Sequence, residues 1–143
     1  MRAIRTKNTS PEVKVRKLLF AKGLRFRLHV RELPGSPDIV LPKYKVAIFV
    51  HGCFWHRHHC HLFKVPQTRS EFWLEKIGKN VTRDSRAKVE LVAAGWRVLT
   101  LWECALKGKF RQSDESLQAH LVTWIKDRSD QCGEISNDND LSL

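Results

Sequence analysis

The run Val46-Ala-Ile-Phe-Val50 constrains the fold more than any other stretch of the chain. Five apolar residues without polar alternation describe a strand buried on both faces. Such a strand lies inside a sheet, with a layer of structure on either side. Its neighbours are consistent with that placement. Leu24, Phe26, Leu28 and Val30 alternate with Arg25, Arg27 and His29, the pattern of a half-buried strand over 24–30. The turn ELPGSP then leads into a short strand, DIVL (38–41), and Pro42-Lys43 turns the chain into residues 44–50. WRVLTLWE (96–103) reads as a fourth strand.

Helices fill the intervals. Thr9-Ser-Pro-Glu12 forms a capping box opening a helix with Val15, Leu18 and Leu19 on one face, ended by Gly23. A second box, Thr68-Arg-Ser-Glu71, opens a helix that meets Gly78, and another helical segment runs from about Val81 to Ala94 before Gly95. Residues 114–127 close the series, with Leu117, Leu121, Trp124 and Ile125 inward. The order α-β-β-β-α-β-α gives a single-domain α/β fold, a mixed sheet flanked by helices. At 143 residues one domain is expected, over residues 1–128. Residues 129–143, poor in apolar content, are expected to form a disordered acidic tail. Trp96, Trp102 and Trp124 are expected in the core.

Charge narrows the function. The formal net charge is +11, and residues 129–143 contribute Asp130, Glu134, Asp138 and Asp140 with no Lys or Arg. Residues 1–128 therefore carry +15, a field suited to a polyanion such as nucleic acid. Arg2, Arg5, Lys7, Lys64, Arg69, Lys76 and Lys79 are candidate phosphate contacts. No run approaches the roughly 18 apolar residues of a membrane span, and no segment joins a basic face to a strongly apolar one. The first residues lack the apolar stretch of a secretory signal, so a cytoplasmic location with reduced thiols is expected.

The stretch FVHGCFWHRHHCHLF (49–63) concentrates five histidines and two cysteines around Phe54 and Trp55. Cys53, His58 and Cys60, together with Cys104 after the last strand, make a Cys₃His set suited to a structural Zn²⁺, which would fix a polar loop that has no core of its own. His51, His56, His59 and His61 remain as candidate bases at neutral pH. Asp38 follows Pro37 at a strand start, beside the strand ending at Phe49-Val50-His51. A carboxylate there suits Mg²⁺, which prefers one or two carboxylates together with phosphate oxygens and water.

These residues resemble a known family. The strand-Pro-Asp-strand order is similar to the PD-(D/E)xK nuclease core, the restriction-endonuclease-like αβββαβ arrangement. HGCFWH, HHC, LFKVP, TRSEFWLEKIGKNV, GWRV and WECAL resemble the very-short-patch repair (Vsr) mismatch endonucleases, over residues 1 to about 128. The resemblance implies a Mg²⁺-dependent nick 5′ to the thymine of a T:G mismatch in double-stranded DNA, the lesion left when 5-methylcytosine is deaminated. By position, Asp38 matches the metal-binding aspartate and His56 the catalytic base, while His51 and Glu12 match residues that support metal-bound waters. Cys53, His58, Cys60 and Cys104 match the zinc ligands. Phe54, Trp55 and Trp73 match the aromatics that wedge into the duplex, and Met1 a minor-groove wedge in the N-terminal arm, which is longer in relatives. Val50 stands where family members can carry threonine, leaving only its backbone carbonyl to reach the Mg²⁺. Phe49 and His51 occupy the positions of the usual E-x-K, so a histidine base replaces the lysine. A monomer is expected. The rival readings are a non-catalytic zinc-containing DNA-binding protein and a nuclease of the same fold with a different target.

Overall fold

The computed structural model describes residues 10–52, 68–107 and 111–136. In chain order the elements are α1 (Ser10–Ala21), β1 (Arg27–Leu28), β2 (Ile39–Leu41), a 3₁₀ turn (Pro42–Tyr44), β3 (Val46–His51), α2 (Ser70–Ala93), β4 (Arg97–Trp102), α3 (Glu103–Leu106), α4 (Asp114–Lys126) and β5 (Cys132–Ile135). They build a mixed α/β structure with a five-stranded sheet ordered β1-β2-β3-β4-β5. The β1–β2 and β2–β3 pairs are antiparallel, and β3–β4 and β4–β5 are parallel. No helix among the described residues is long and apolar enough to cross a membrane.

β3 organises the interior as its sequence requires. Val46 and Ile48 join Ile39, Leu41, Leu99 and Leu101 in one core, covered by Val15 and Leu19 of α1 and by Leu117, Leu121 and Ile125 of α4. Ala47 and Phe49 point the other way, into a smaller core with Val98 and with Ala87 and Leu91 of α2. The period of two along β3 thus divides one continuous apolar run between two layers. Gly35 shows how closely the second layer packs. Its φ is +75°, and an added Cβ would lie 2.6 Å from the Ala87 Cβ and 3.1 Å from the Phe49 ring. Only glycine fits that turn and that contact.

Four expectations change. The strand over 24–30 shrinks to Arg27–Leu28, with Leu28 39% exposed, although Leu24 and Val30 are buried. His29 takes φ 48°, which breaks the extended backbone and ends the alternation. The Thr68 capping box does not form. Arg69 takes the N-cap position with φ 58° and no side-chain cap, so Thr68 lies one residue too early. Thr9 lies outside the described residues. The two helical segments around Gly78 are one continuous helix, because the cost of an interior glycine, about 1 kcal/mol, is small beside the burial of Ile77, Ala87 and Leu91. Lastly, part of the segment after Arg128 is folded: Cys132–Ile135 pairs in register with Val98–Leu101. Of the tryptophans assigned to the core, Trp102 is buried and Trp96 and Trp124 are partly buried.

An arginine holds that last strand in place. Buried Arg97 donates from Nε to the Asp130 carbonyl (2.9 Å), from Nη1 to Ile125 (2.9 Å), and from Nη2 to Trp124 (2.8 Å) and Asp127 (2.6 Å). Its guanidinium also stacks 4.3 Å from the Trp124 ring centre. Burial and the charge of Arg128 lower its pKa, while Asp127 and Asp130 act in the opposite direction. The carbonyls at the end of α4 and the chain entering β5 are therefore gathered on one rigid donor fork. Gln112 closes the other end of β5, donating to the Ser136 carbonyl (2.7 Å). Replacing Arg97 with Lys keeps the charge and loses the fork, so a loss of about 2–3 kcal/mol in urea unfolding is expected. An unchanged urea midpoint would remove the clamp from the account of stability.

Candidate functional site

Asp38 stands where the β2–β3 ladder ends. Its amide donates to the Ile48 carbonyl (3.1 Å), and its own carbonyl accepts from the His29 amide (3.1 Å). The carboxylate Oδ2 accepts the Val50 amide at 2.8 Å. A side chain thus takes the place of a backbone partner at the next rung and is fixed against β3. Glu12, on the first turn of α1, is 3% exposed and faces the same region. It shares the inner side of the helix with Val15 and Leu19, three and seven residues on. Packing that face against the sheet delivers the Glu12 carboxylate to Asp38.

His29 completes the group. One ligand atom each from Glu12, His29 and Asp38 lie within 4.8 Å of one another. His29 Nε2 is 3.6 Å from Glu12 Oε2, and Arg16 Nη2 lies 3.3 Å from the same oxygen and 3.2 Å from His29 Nε2. Two carboxylates and an imidazole at this spacing suit a divalent cation, since like charges this close repel unless a cation lies among them. The two carboxylates are the oxygen donors that fit the Mg²⁺ implied by the sequence. Val50 contributes its amide to Asp38, and its side chain packs against the larger core.

His51 serves the opposite layer. It is 9% exposed, with its ring 5.5 Å from both Phe49 and Trp102. Nε2 lies 3.8 Å from Asp84 Oδ1 on α2, and the two line a pocket with Phe49, Ser85, Thr100 and Trp102. An acidic partner at that distance orients an imidazole. Glu12, Asp38 and His51 are therefore all at the carboxyl end of β3 or against it. His29 and Asp84 were not anticipated as site residues. The alternating pattern presents His29 as an outward strand residue, and Asp84 carries no local signal on a helix rich in charge.

Other expected residues are distributed as follows. Cys104 is fully buried in α3. Trp73 is half-buried near the start of α2, 5.2 Å from the Phe72 ring. Phe72 is 41% exposed, with Arg69 4.4 Å and Lys76 5.8 Å from its ring centre. This exposed aromatic between two cations adjoins Trp73. Met1, Cys53, Phe54, Trp55, His56, His58 and Cys60 lie outside the described residues.

Asp38→Asn retains an oxygen to accept the Val50 amide and removes one of two crowded negative charges. Its melting temperature without divalent cation should equal or exceed that of the original chain, and the rise caused by added Mg²⁺ should vanish. A Mg²⁺-dependent rise that survives the substitution would place the cation elsewhere.

A sequence profile described as DNA mismatch endonuclease Vsr matches residues 1–62. The chain is similar to the DNA mismatch endonuclease Vsr of Escherichia coli (strain K12), 54% identical over 134 residues that cover 94% of this chain and 82% of that protein. It is also similar to the Type II nicking enzyme V.XorIIP of Xanthomonas oryzae pv. oryzae, 50% identical over 106 residues (74% of this chain, 78% of that one). The Type II nicking enzyme V.NmeAIP of Neisseria meningitidis serogroup A is 49% identical over 109 residues (76% and 78%). With the Glu12–Asp38 site at the end of β3 and likeness across nearly its whole length, the chain belongs to the Vsr family of DNA mismatch endonucleases.

Proposed function

We propose that this DNA endonuclease nicks one strand of a duplex 5′ to the thymine of a T:G mismatch, using Mg²⁺ at Asp38. The observation that carries the reading is the Glu12–Asp38 pair held against the end of β3 in a chain 54% identical to a mismatch endonuclease. When bound, Mg²⁺ stabilises negative charge on the scissile phosphate and lowers the pKa of coordinated water. Asp38 would hold it directly, the Val50 carbonyl is the remaining oxygen offered by β3, and Glu12 from the α1 side and His51 from the α2 side would hold its waters. Asp38 keeps its orientation because the Val50 amide fixes it at 2.8 Å. Asp84 steadies His51 from α2. His56 accepts the proton of the attacking water, a role worth about 10²–10⁴-fold in rate.

Recognition is assigned to Phe54, Trp55, Trp73 and Met1, inserted beside the mismatch. Separating stacked bases costs a few kcal/mol, and less at a mismatch, so ease of deformation selects the lesion. Half-exposed Trp73 adjoins Phe72, and the Arg69 and Lys76 cations over the Phe72 ring suit the phosphates. A structural Zn²⁺ is assigned to Cys53, His58, Cys60 and Cys104. Its support is the donor chemistry and the register. His51 pairs with Trp102 at the ends of β3 and β4, and Cys53 and Cys104 each follow those residues by two positions in the sequence. The protein is assigned to the cytoplasm as a monomer, with residues 1–128 and the added strand β5 as the catalytic domain. A second reading, the same reaction in another sequence context, is favoured by relatives named Type II nicking enzymes.

The test is strand-specific nicking of an end-labelled duplex with one T:G pair in a CT(A/T)GG-type context. A Mg²⁺-dependent nick 5′ to the mismatched thymine is expected, absent on matched DNA and with Asp38→Ala. His56→Ala should retain binding and slow the nick by about 10²–10⁴-fold. Nicking only after the flanking bases are randomised would support the second reading. Mismatch binding without nicking under any context would leave a non-catalytic DNA-binding protein.

A further inference from the structure

Beyond the carboxylates, the site contains an imidazole and a guanidinium that have no part in the reading above. The backbone places His29. Its amide donates to the Asp38 carbonyl (3.1 Å), and φ 48° turns it out of the line of β1, so its ring lies beside Glu12 instead of following the alternation of the strand. Arg16 decides which ring nitrogen is available. A guanidinium has donors only, and Arg16 Nη2 sits 3.2 Å from His29 Nε2. Nε2 therefore presents its lone pair, with the proton on Nδ1. A lone pair at Nε2, 3.6 Å from a carboxylate oxygen and clustered with a second carboxylate, is a ligand arrangement. The cation now facing it is Arg16 itself, which shares Nη2 between Glu12 Oε2 (3.3 Å) and His29 Nε2 (3.2 Å).

We propose that His29 is a third protein ligand, beside Asp38 and the Val50 carbonyl, to the divalent cation whose waters Glu12 holds, and that Arg16 is a resident cation displaced when the metal enters. The proposal rests on the reading of Asp38 as the metal-binding carboxylate. Its chemical consequence is selectivity. Mg²⁺ takes oxygen ligands and gains little from an imidazole, whereas first-row transition ions accept nitrogen readily. The site is thus biased toward Mn²⁺ relative to a site of carboxylates alone. Arg16 sets the opposing term, because a positive charge on the same two donors weakens every divalent cation.

The experiment is Mn²⁺ and Mg²⁺ binding by titration calorimetry on the full chain, joined to pulsed electron paramagnetic resonance of bound Mn²⁺. Mn²⁺ is chosen because thiolates bind it poorly. His29→Asn is the primary variant, since asparagine tolerates the left-handed backbone and is too short to reach the cluster. The original chain should show ¹⁴N modulation from a coordinated imidazole. His29→Asn should lose it and bind Mn²⁺ about tenfold more weakly, with Mg²⁺ changed by about twofold or less. Arg16→Gln should tighten both ions. Modulation that is absent from the original chain, or that survives in His29→Asn, overturns the proposal. So does weaker binding in Arg16→Gln, which would make the guanidinium a support for Glu12. Asp38→Asn separates the two readings. If it binds Mn²⁺ unchanged, the metal site itself is wrong; if it loses Mn²⁺ while His29→Asn keeps the original Mn²⁺-to-Mg²⁺ ratio, only the role of His29 falls.

Discussion

The rest of the structure depends on β3 being hydrogen-bonded on both edges and covered on both faces. β2 takes one edge and β4 the other, and the side chains alternate between two cores. A strand in that position has no freedom to slide, because a one-residue shift would exchange its two faces and move Phe49 from the α2 side to the α1 side. Its end is equally determined. Where backbone partners from β2 run out, the Val50 amide still needs an acceptor, and the Asp38 carboxylate supplies it. A structural need of the sheet thereby fixes the carboxylate on which metal binding is proposed to rest.

The sequence made these strands legible because their patterns reflect burial directly. Val46–His51 and Arg97–Trp102 lie where the apolar runs place them, and α4 buries Leu117, Leu121 and Ile125 as its spacing requires. Local signals failed where distant partners outweighed them. Gly78 has the composition of a helix stop, but Ile77 and Leu91, both fully buried, anchor α2 on either side of it. β5 is the reverse case. Cys132 and Glu134 are exposed and apolar content is low, so composition argues against folding. Its stability comes from outside the segment, from the open edge of β4 and from the Arg97 fork about thirty positions earlier in the sequence.

The site divides along the same line. Glu12 and Asp38 were found as residues, and the structure adds the reason they meet: one buried face of α1 carries Val15, Leu19 and Glu12 together. His29 was hidden by its own surroundings. An alternating stretch assigns each polar residue to solvent, and nothing local announces that the backbone leaves the strand at that residue. Asp84 was hidden for another reason. Its meaning depends on which turn of a 24-residue helix crosses the end of β3, a quantity fixed by tertiary packing alone.

The two layers meeting at the end of β3 also separate the demands on the site. Glu12, His29 and Asp38 belong to the α1 side, whereas His51 and Asp84 belong to the α2 side. Successive residues of the strand serve them: the backbone of Val50 holds Asp38, and the ring of His51 turns to α2. Because both are set by one buried strand, neither group can reorient without disturbing the other's layer. β4 adds the third constraint through the same register, since Trp102 packs on His51 and leads directly into Cys104. Preorganisation of this kind needs no dedicated element. It follows from ending a central strand where three neighbours converge, and it explains why so much of the proposed chemistry lies within a few residues of His51.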